Sequence, residues 1–182
     1  MKPPYARGRV LRRLGDLFAF ALIVLVLWRV LVAPRFLAPP GQPMPSTTLI
    51  SPNGQSYRLA GPPHRTLFLD FWASWCEPCR LSLPLVERYA RAHPEVAVLA
   101  VDVGEPGSIA AGYARTHDLA HVLLDARGAT AAKFGVVAYP TMVVIDPRGF
   151  VRAKWSGFNP AIGLAMANAE RELARASAAT GP

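Results

Sequence analysis

The chain has 182 residues, of which 52% are hydrophobic, and its formal net charge is +8. The charge is concentrated at one end. Residues 1–35 carry seven basic side chains against one acidic side chain, a net of +6, whereas residues 36–182 carry 13 against 11, a net of +2. Because the larger part is nearly neutral and has no basic stripe interleaved with aromatic residues, composition argues against a nucleic-acid-binding protein.

The N-terminal segment resembles a membrane anchor. Residues 17–33 are apolar except for Arg29, and as a helix they would extend roughly 26 Å, the short end of what a bilayer requires. Arg29 is close enough to the end of the stretch to snorkel to the interface. Since positive charge stays cytoplasmic, we expect residues 1–16 in the cytoplasm and residues 17–33 as an uncleaved single-pass signal-anchor in the inner membrane. We expect the rest of the chain to be periplasmic or extracytoplasmic.

Two alternatives to an anchor remain open at this stage. A cleaved signal peptide would need a small-residue cleavage site, and Pro34 directly after Ala33 makes a poor one. A buried helix of a soluble protein would not explain why the basic residues lie on one side only, or why a proline-rich segment follows. That segment, residues 34–45, is predicted to be a semi-extended linker to a single domain at residues 46–178.

The domain alternates strand-like and helix-like segments. Two short strands flank Pro52-Asn53-Gly54 and predict an N-terminal β-hairpin. The order that follows predicts an α/β fold, a mixed sheet flanked by helices whose last two strands are antiparallel. The predicted strands are 47–50, 56–59, 67–71, 96–101, 122–124, 141–145 and 151–155, and the predicted helices are 80–92, 109–117, 129–134 and a last one, capped by Asn159, to about residue 175.

The only two cysteines, Cys76 and Cys79, lie between a predicted buried strand and a predicted helix. This is the arrangement that thiol–disulfide chemistry uses. Unpaired N–H groups and the helix dipole at a helix start lower the pKa of a thiol, and the thiolate is the nucleophile. We therefore predict that Cys76 is the more exposed, attacking thiol and Cys79 the recessed, resolving thiol. Pro78 is tolerated because first-turn N–H groups have no helical partner.

The cysteine pair has two other interpretations. A zinc half-site would need two further ligands, and only His117 and His121 are spaced closely enough to supply them. A purely structural disulfide would add little stability because its loop is short. We expect no metal ion and no cofactor.

These residues resemble the thioredoxin superfamily, and within it the membrane-anchored ResA, TlpA and CcmG/DsbE branch. The resemblance extends over residues 44–176 and implies a thioredoxin-like fold. Its motifs are Leu69-Asp70-Phe71-Trp72-Ala73-Ser74-Trp75-Cys76-Glu77-Pro78-Cys79, Ala100-Val101-Asp102-Val103-Gly104-Glu105, Phe134-Gly135-Val136, Tyr139-Pro140-Thr141 and Ile145-Asp146-Pro147-Arg148-Gly149.

The resemblance also implies roles for particular residues. A cis peptide bond is expected before Pro140, facing the cysteines and pairing with an extended substrate segment. The expected substrate-binding residues are Trp75, Glu77, Pro78, Tyr139, Pro140 and Thr141. Trp72 is expected in the core and Trp75 at the surface of the active site.

One departure from the branch concerns acid–base chemistry. ResA-like members place a glutamate three residues after the second cysteine, where this chain has Ser82. Asp70 stands where many relatives in the branch have a neutral residue and where thioredoxin has an aspartate. A carboxyl group in this strand would be buried with a raised pKa, and it could take the proton of Cys79 during resolution. A structural role for Asp70 stays open.

The resemblance implies a thiol–disulfide oxidoreductase of the protein-disulfide reductase type. Apocytochrome c is the implied client and a copper-site assembly protein is the next candidate; a membrane donor of the DsbD or CcdA type would re-reduce the protein. Rival interpretations are a Cu(I) chaperone, a disulfide oxidase or isomerase, and a peroxidase of the same superfamily. A peroxidase fits badly because that chemistry needs one special cysteine in its own pocket.

Overall fold

The computed structural model describes residues 5–31 and 41–179, with side chains for residues 13–27 and 41–179. It contains five helices and seven strands in these residues. The helices are α1 (Tyr5–Leu31), α2 (Glu77–Ala92), α3 (Gly107–Thr116), α4 (Ala129–Lys133) and α5 (Ile162–Ala179). The strands are β1 (Thr47–Ile50), β2 (Ser56–Leu59), β3 (Leu67–Trp72), β4 (Ala97–Val103), β5 (Val122–Asp125), β6 (Thr141–Ile145) and β7 (Val151–Ser156).

All seven strands form one mixed sheet in the order β2-β1-β5-β4-β3-β6-β7. The central pairs β3/β4 and β4/β5 are parallel, whereas β1/β2, β1/β5, β3/β6 and β6/β7 are antiparallel. The predicted α/β class, the mixed sheet, the N-terminal hairpin and the antiparallel last pair are therefore confirmed. Parallel neighbours need helical crossovers, so α2 and α3 cover one face of the sheet between these strands.

Alternation along β3 assigns its side chains to the two faces of the sheet. Leu67, Leu69 and Phe71 belong to the core cluster on the face that carries Ala131 and Phe134, from α4 and its C-terminal cap. Phe68 packs with residues of α2 and α5 on the opposite face. Trp72 lies on that second face too, in a cluster that contains both cysteines. The chain therefore enters its cysteine motif on the α2 side of a fully buried strand.

Helix α2 begins at Glu77, three residues before the predicted start at Arg80. The reason is local: Cys76 is the N-cap, and its sulfur accepts a hydrogen bond from the backbone N–H of Cys79 at 3.2 Å. Its carbonyl oxygen also accepts from Arg80 N–H at 3.1 Å. The proline in the first turn costs nothing because its position has no helical partner to lose.

Residues 41–45 of the predicted linker are not a free tether. The backbone N–H of Met44 donates to Gly149 O, and that of Val151 donates to Gln42 O, each at 2.8 Å. The segment thus pairs beside the last turn of the sheet and belongs to the ordered domain. Its hydrogen bonds are non-local, so the proline content of the sequence alone could not predict them. The other predicted linker residues, 34–40, lie outside the described residues.

The predicted anchor is tested only in part. Helix α1 covers most of it, but residues 32 and 33 lie outside the described residues. Within the parts of the chain that the structure describes, no helix is long and apolar enough to cross a membrane. The large apolar side chains described in α1, from Leu14 to Leu27, are all about half exposed or more.

Candidate active site

Cys76 and Cys79 form a disulfide bond at the start of α2, with their Cα atoms 5.2 Å apart. Cys76 is the N-cap residue next to the unpaired N–H groups of the first helical turn, and its sulfur accepts a hydrogen bond from one of them, that of Cys79. In the reduced protein the same N–H groups would stabilise a thiolate at Cys76. In the oxidised state described here, both sulfurs are committed to the disulfide and neither is free to bind a metal ion.

The two cysteines differ in accessibility in the predicted order, although the difference is small. Cys76 is 5% exposed and Cys79 is 0% exposed. Cys76 is therefore less open than the sequence suggested, because the surrounding loop and α2 close around it. Trp75 is 67% exposed, and Glu77 and Pro78 are also exposed, so the motif presents these three side chains to solvent. Trp72 is 0% exposed, as predicted for the core.

Asp70 lies two residues before Trp72 on β3, so it points to the same face of the sheet, the face of the cluster that holds Cys79. It is 1% exposed, and its Oδ2 has no hydrogen-bond partner in the structure. Burial raises the pKa of Asp70 to about 7. The prediction of a buried carboxyl group with a raised pKa is confirmed, while its part in proton transfer stays a prediction.

The segment before β6 carries the cis peptide bond predicted between Tyr139 and Pro140. Its position follows from the sheet, since Thr141 is paired with Phe71 at the end of β3 that leads into the cysteine motif. The Tyr139 ring packs edge-on against the Trp75 ring, with centroids 6.0 Å apart. Tyr139 also packs against the cluster that contains the two cysteines. Trp75 and Tyr139 therefore form one surface beside the disulfide.

Thr141 does not join this surface. It is 0% exposed, and its hydroxyl group bonds to Ala138 O and to the Ser156 hydroxyl, each at 2.8 Å. A substrate contact by its side chain is excluded in this structure, so the predicted role is corrected to fastening the cis-proline segment. The same segment exposes Val137, at 93%, an apolar residue that the sequence analysis missed. No motif pointed to it.

A second acidic group, which the sequence analysis quoted only as part of a motif, lies against the loop before Cys76. Glu105, 7% exposed, accepts hydrogen bonds from the backbone N–H and the hydroxyl group of Ser74, both at 2.6 Å. Asp102 on β4 is fully buried beside it. Burial, followed by the hydrogen bond and negative charge of Glu105, raises the pKa of Asp102 to about 8. The spacing Asp-x-x-Glu at a strand end could have drawn attention to the pair.

The pKa of Glu105 moves the other way. Burial favours its neutral form, but hydrogen bonds from Asp102 and Ser74 outweigh burial and lower the pKa. The pair therefore holds one proton, on Asp102, and one negative charge, on Glu105. Burial, followed by the electrostatic influence of Asp125 and Asp102, also raises the pKa of Tyr139.

A group of possible metal donors lies elsewhere. His93, Glu95 and Glu170 place one donor atom each within 4.8 Å of one another. Their donors already have partners, because His93 Nδ1 bonds to Glu95 and Glu170 accepts from the Tyr89 hydroxyl group. This group contains neither a cysteine nor His117 or His121, the two histidines that a zinc half-site would have needed.

A strand that delivers a Cys-x-x-Cys pair to a helix start, with a cis-proline segment beside it, defines a thiol–disulfide oxidoreductase of the thioredoxin-like class. The model of the AhpC/TSA family matches residues 40–154, more than half of the chain, and the chain belongs to that family.

Curated relatives agree with this class. The chain is 30% identical over 117 residues to the thioredoxin-like protein YneN of Bacillus subtilis, covering 62% of this chain and 68% of that protein. It is 30% identical over 115 residues to the thiol-disulfide oxidoreductase ResA of Geobacillus thermodenitrificans, covering 62% and 66%. Over 91 residues it is 36% identical to a DsbE homologue of Paracoccus denitrificans, covering 49% of each chain. The chain thus spans about half to about two thirds of the length of these relatives, from 49% to 68%.

Solved structures lead to the same class. The Chlorobium tepidum protein described as a thiol:disulfide interchange protein DsbE superposes with a TM-score of 0.67 at 29% identity, covering 73% of this chain and 96% of that one. The exposed lipoprotein thioredoxin Etrx1 of Streptococcus pneumoniae superposes with a TM-score of 0.58 at 29% identity, covering 70% and 99%. The protein is a thiol–disulfide oxidoreductase of the DsbE/ResA type.

Proposed function

We propose that this oxidoreductase is tethered to the cytoplasmic membrane and reduces the disulfide of the haem-attachment Cys-x-x-Cys-His site of apocytochrome c. The observation that carries the proposal is the cysteine pair at the start of α2, in which Cys76 is slightly exposed and Cys79 is fully buried. The DsbE/ResA resemblance supports the choice of client. The proposed re-reductant is a membrane donor of the DsbD or CcdA type.

The proposed reaction begins with the reduced protein. The Cys76 thiolate attacks one sulfur of the substrate disulfide, and the other substrate sulfur leaves as a thiolate that takes a proton from water. Cys79 then loses its proton to Asp70 and attacks the Cys76 sulfur. The second substrate thiolate is released, and the Cys76–Cys79 disulfide of the structure is the product. The substrate gains two electrons and the protein loses two.

Asp70 suits the second step because it must be an anion to accept a proton and an acid to return it. A carboxyl group with a pKa of about 7 exchanges a proton readily near neutral pH. Asp70 lies on the face of the sheet that is covered by the cluster containing Cys79. With Ser82 in place of the family glutamate, Asp70 is the carboxyl group that we assign to this step.

The surface beside the disulfide would bind the client. Trp75 and Tyr139 offer an aromatic edge, and Val137, two residues before Tyr139 in the chain, is an exposed apolar side chain. The cis-proline segment would pair with an extended substrate through its backbone, a mode that provides affinity with little dependence on sequence. Exposed Glu77 and Pro78 flank this surface.

We further propose that the protein acts as a reductant. An extracytoplasmic space is already oxidising, so an anchored reductant has a distinct task there. Glu77 places a negative charge directly after Cys76, where a strong oxidant would need a group that stabilises the thiolate. The anchor itself rests on the apolar residues 17–33 and their basic flank, and on the helical conformation of α1.

A peptide assay tests the client. The full chain in detergent, reduced beforehand, is mixed with an oxidised Cys-x-x-Cys-His peptide and with a control in which the histidine is replaced by alanine. We expect faster reduction of the haem-site peptide and slow, equal rates for both peptides in Asp70→Asn. Equal rates in the wild-type protein would exclude haem-site specificity.

A Cu(I) titration separates the copper alternative. The reduced protein is titrated in competition with a chromophoric Cu(I) chelator. Weak binding is expected, because the two thiols have no methionine or histidine close to them in sequence. A tight one-to-one complex would favour copper-site assembly instead.

Membrane topology is testable separately with the full chain. Intact cells and spheroplasts are treated with a protease, and the C-terminal domain is followed by immunoblot. We expect cleavage in spheroplasts only, and association with membranes that alkaline carbonate does not extract. Recovery of the whole chain in the soluble fraction would contradict the anchor.

A further inference from the structure

The loop that precedes Cys76 is attached to the sheet through one carboxylate. Ser74 directs both its backbone N–H and its hydroxyl group to Glu105, one to each oxygen, and both bonds are 2.6 Å long. Glu105 lies 31 residues further along the chain, just after β4. Hydrogen bonds to a carboxylate are roughly twice as strong as neutral ones, so this contact is a firm link between distant segments.

The same loop determines where the Cys76 sulfur lies. Cys76 N–H donates to Ala73 O at 3.1 Å, which forms a tight turn around Ser74 and Trp75. Trp75 is 67% exposed and packs only in part, so the two bonds from Ser74 are a large share of what fixes this turn. A displacement of the turn would move Cys76 out of its position as the cap of α2.

Asp102 supports Glu105 from the other side. It is 0% exposed, and no N–H or O–H group of the described residues donates to either of its oxygens. Such an aspartate is accommodated as the neutral acid, which can donate its own proton to Glu105. The pKa of Asp102, raised by burial to about 8, agrees with this arrangement.

We propose that Glu105 is a positioning residue for thiol–disulfide exchange: with protonated Asp102 behind it, Glu105 holds Ser74 and thereby fixes the turn that presents the Cys76 sulfur. The proposal rests on the thiol–disulfide activity alone and is independent of which client the protein reduces. Besides Glu105, the titratable groups that act on Asp102 or share its surroundings are Asp125 on β5 and Tyr139 before β6. When Asp102 ionises, it no longer donates a hydrogen bond to Glu105 and its negative charge repels that carboxylate, so Glu105 is displaced and its hydrogen bonds with Ser74 weaken.

Exchange kinetics test whether Glu105 acts through Ser74. The reduced full chain in detergent reacts with a small aromatic disulfide, and the limiting rate constant of the fully ionised Cys76 is measured. We expect a fall of about tenfold in Glu105→Ala, a smaller fall in Ser74→Ala, and no further fall when Ser74→Ala is added to Glu105→Ala. Unchanged rates, or effects of the two substitutions that add up, would overturn the proposal.

Two further variants distinguish a specific effect of Glu105 from a general loss of structure. Asp146→Asn is the matched control, because Asp146 is also a buried carboxylate that accepts two backbone N–H groups, but in the turn between β6 and β7. It should leave the exchange rate unchanged, and an equal fall would overturn the proposal. Glu105→Gln keeps one acceptor for Ser74 if Glu105→Ala does not fold. It should give an intermediate rate, and the wild-type rate would contradict the proposal.

An NMR titration gives a readout that a merely structural role would not move. The Ser74 amide proton of the oxidised full chain is followed from about pH 6 to about pH 9. In the wild-type protein we expect it to move upfield as Asp102 ionises, and in Asp102→Asn to stay in place, because the amide donates to Glu105 at every pH. An immobile wild-type signal, or the same pH-dependent step in Asp102→Asn, would overturn the proposal.

Discussion

Two aspartates on neighbouring strands are buried on the same side of the sheet as the cysteines. Asp70 is paired with Ala100 and Trp72 with Asp102 across β3 and β4, so both carboxyl groups point to the α2 and α3 face. Neither finds a cation within the described structure, and burial raises the pKa of both. A buried carboxyl group without a partner destabilises the folded protein, so stability alone does not explain these two aspartates. Their presence is consistent with proton handling next to the thiols.

The substitution Asp70→Asn should change how stability depends on pH. In the folded protein Asp70 keeps its proton up to about pH 7, whereas in the unfolded chain it loses the proton near pH 4. Between these values the unfolded state binds fewer protons, so the free energy of unfolding falls as pH rises, by about 4 kcal/mol in total. Asp70→Asn should remove this fall, as measured by urea unfolding at several pH values.

The control for that experiment is Glu172→Gln, a substitution of an exposed residue. This variant should show the same change of the free energy of unfolding with pH as the wild-type protein. Asp102 contributes a slope of the same sign in every variant, so the comparison between proteins, and not the absolute slope, carries the result. An Asp70→Asn protein with the wild-type slope would show that Asp70 titrates normally.

Substitution of each cysteine should distinguish the attacking thiol from the resolving thiol. Cys79→Ser should accumulate a mixed disulfide with a disulfide-containing substrate, because Cys76 can attack and nothing resolves the product. Cys76→Ser should form little adduct, because Cys79 is 0% exposed. Intact-mass spectrometry after alkylation measures both. Equal adduct yields in the two variants would contradict the assignment.

At the level of secondary structure, the sequence predicted regular elements well and their ends less well. The hairpin strands 47–50 and 56–59 were found with the expected bounds, because an Asn-Gly turn between alternating residues is a local signal. The periodic pattern predicted the start of helix α2 at Arg80, whereas the chemistry of the cysteine pair predicted Cys76 at the helix start, and the structure has Cys76 as the N-cap. The periodic pattern missed this start because a cysteine sulfur is not among the usual capping groups. Two other features are contacts between distant segments, which no local pattern encodes. They are the pairing of residues 41–45 beside β7 and the hydrogen bonds from Ser74 to Glu105.

The packing of that N-terminal segment can be tested at Gly41. A Cβ atom at this position would clash with the carbonyl oxygen of Val151, which is backbone and cannot give way as a side chain does. Gly41→Ala should therefore detach the segment and lower the free energy of unfolding by about 1–2 kcal/mol, the worth of one or two hydrogen bonds. Urea unfolding measures the loss.

Gly41→Ala should leave the reduction potential of the cysteine pair unchanged, since β7 is separated from β3 by β6. Gly112→Ala is a suitable control, because no atom lies within 4 Å of a Cβ atom at that position, and it should be neutral or slightly stabilising. A Gly41→Ala protein as stable as the wild type would mean that residues 41–45 contribute no stability to the domain.

For the whole molecule, the sequence predicted the fold and the chemistry because one motif combines a buried strand, a helix start and two cysteines. It could not predict Glu105 as a partner of Ser74, nor the burial of Thr141, since both depend on how β4 and β6 are placed beside β3. The proposals about the client, the electron donor and the membrane anchor concern interactions with other molecules, which the fold of this chain does not determine.

The central claim, that the cysteine pair is a dedicated reductant, is tested most directly by its reduction potential. The full chain in detergent is equilibrated with dithiothreitol buffers, and the fraction of Cys76–Cys79 disulfide is measured by alkylation and mass spectrometry. We predict a value near or below that of thioredoxin, roughly −270 mV. A value near that of DsbA, roughly −120 mV, would contradict the account and indicate an oxidase or isomerase of disulfides.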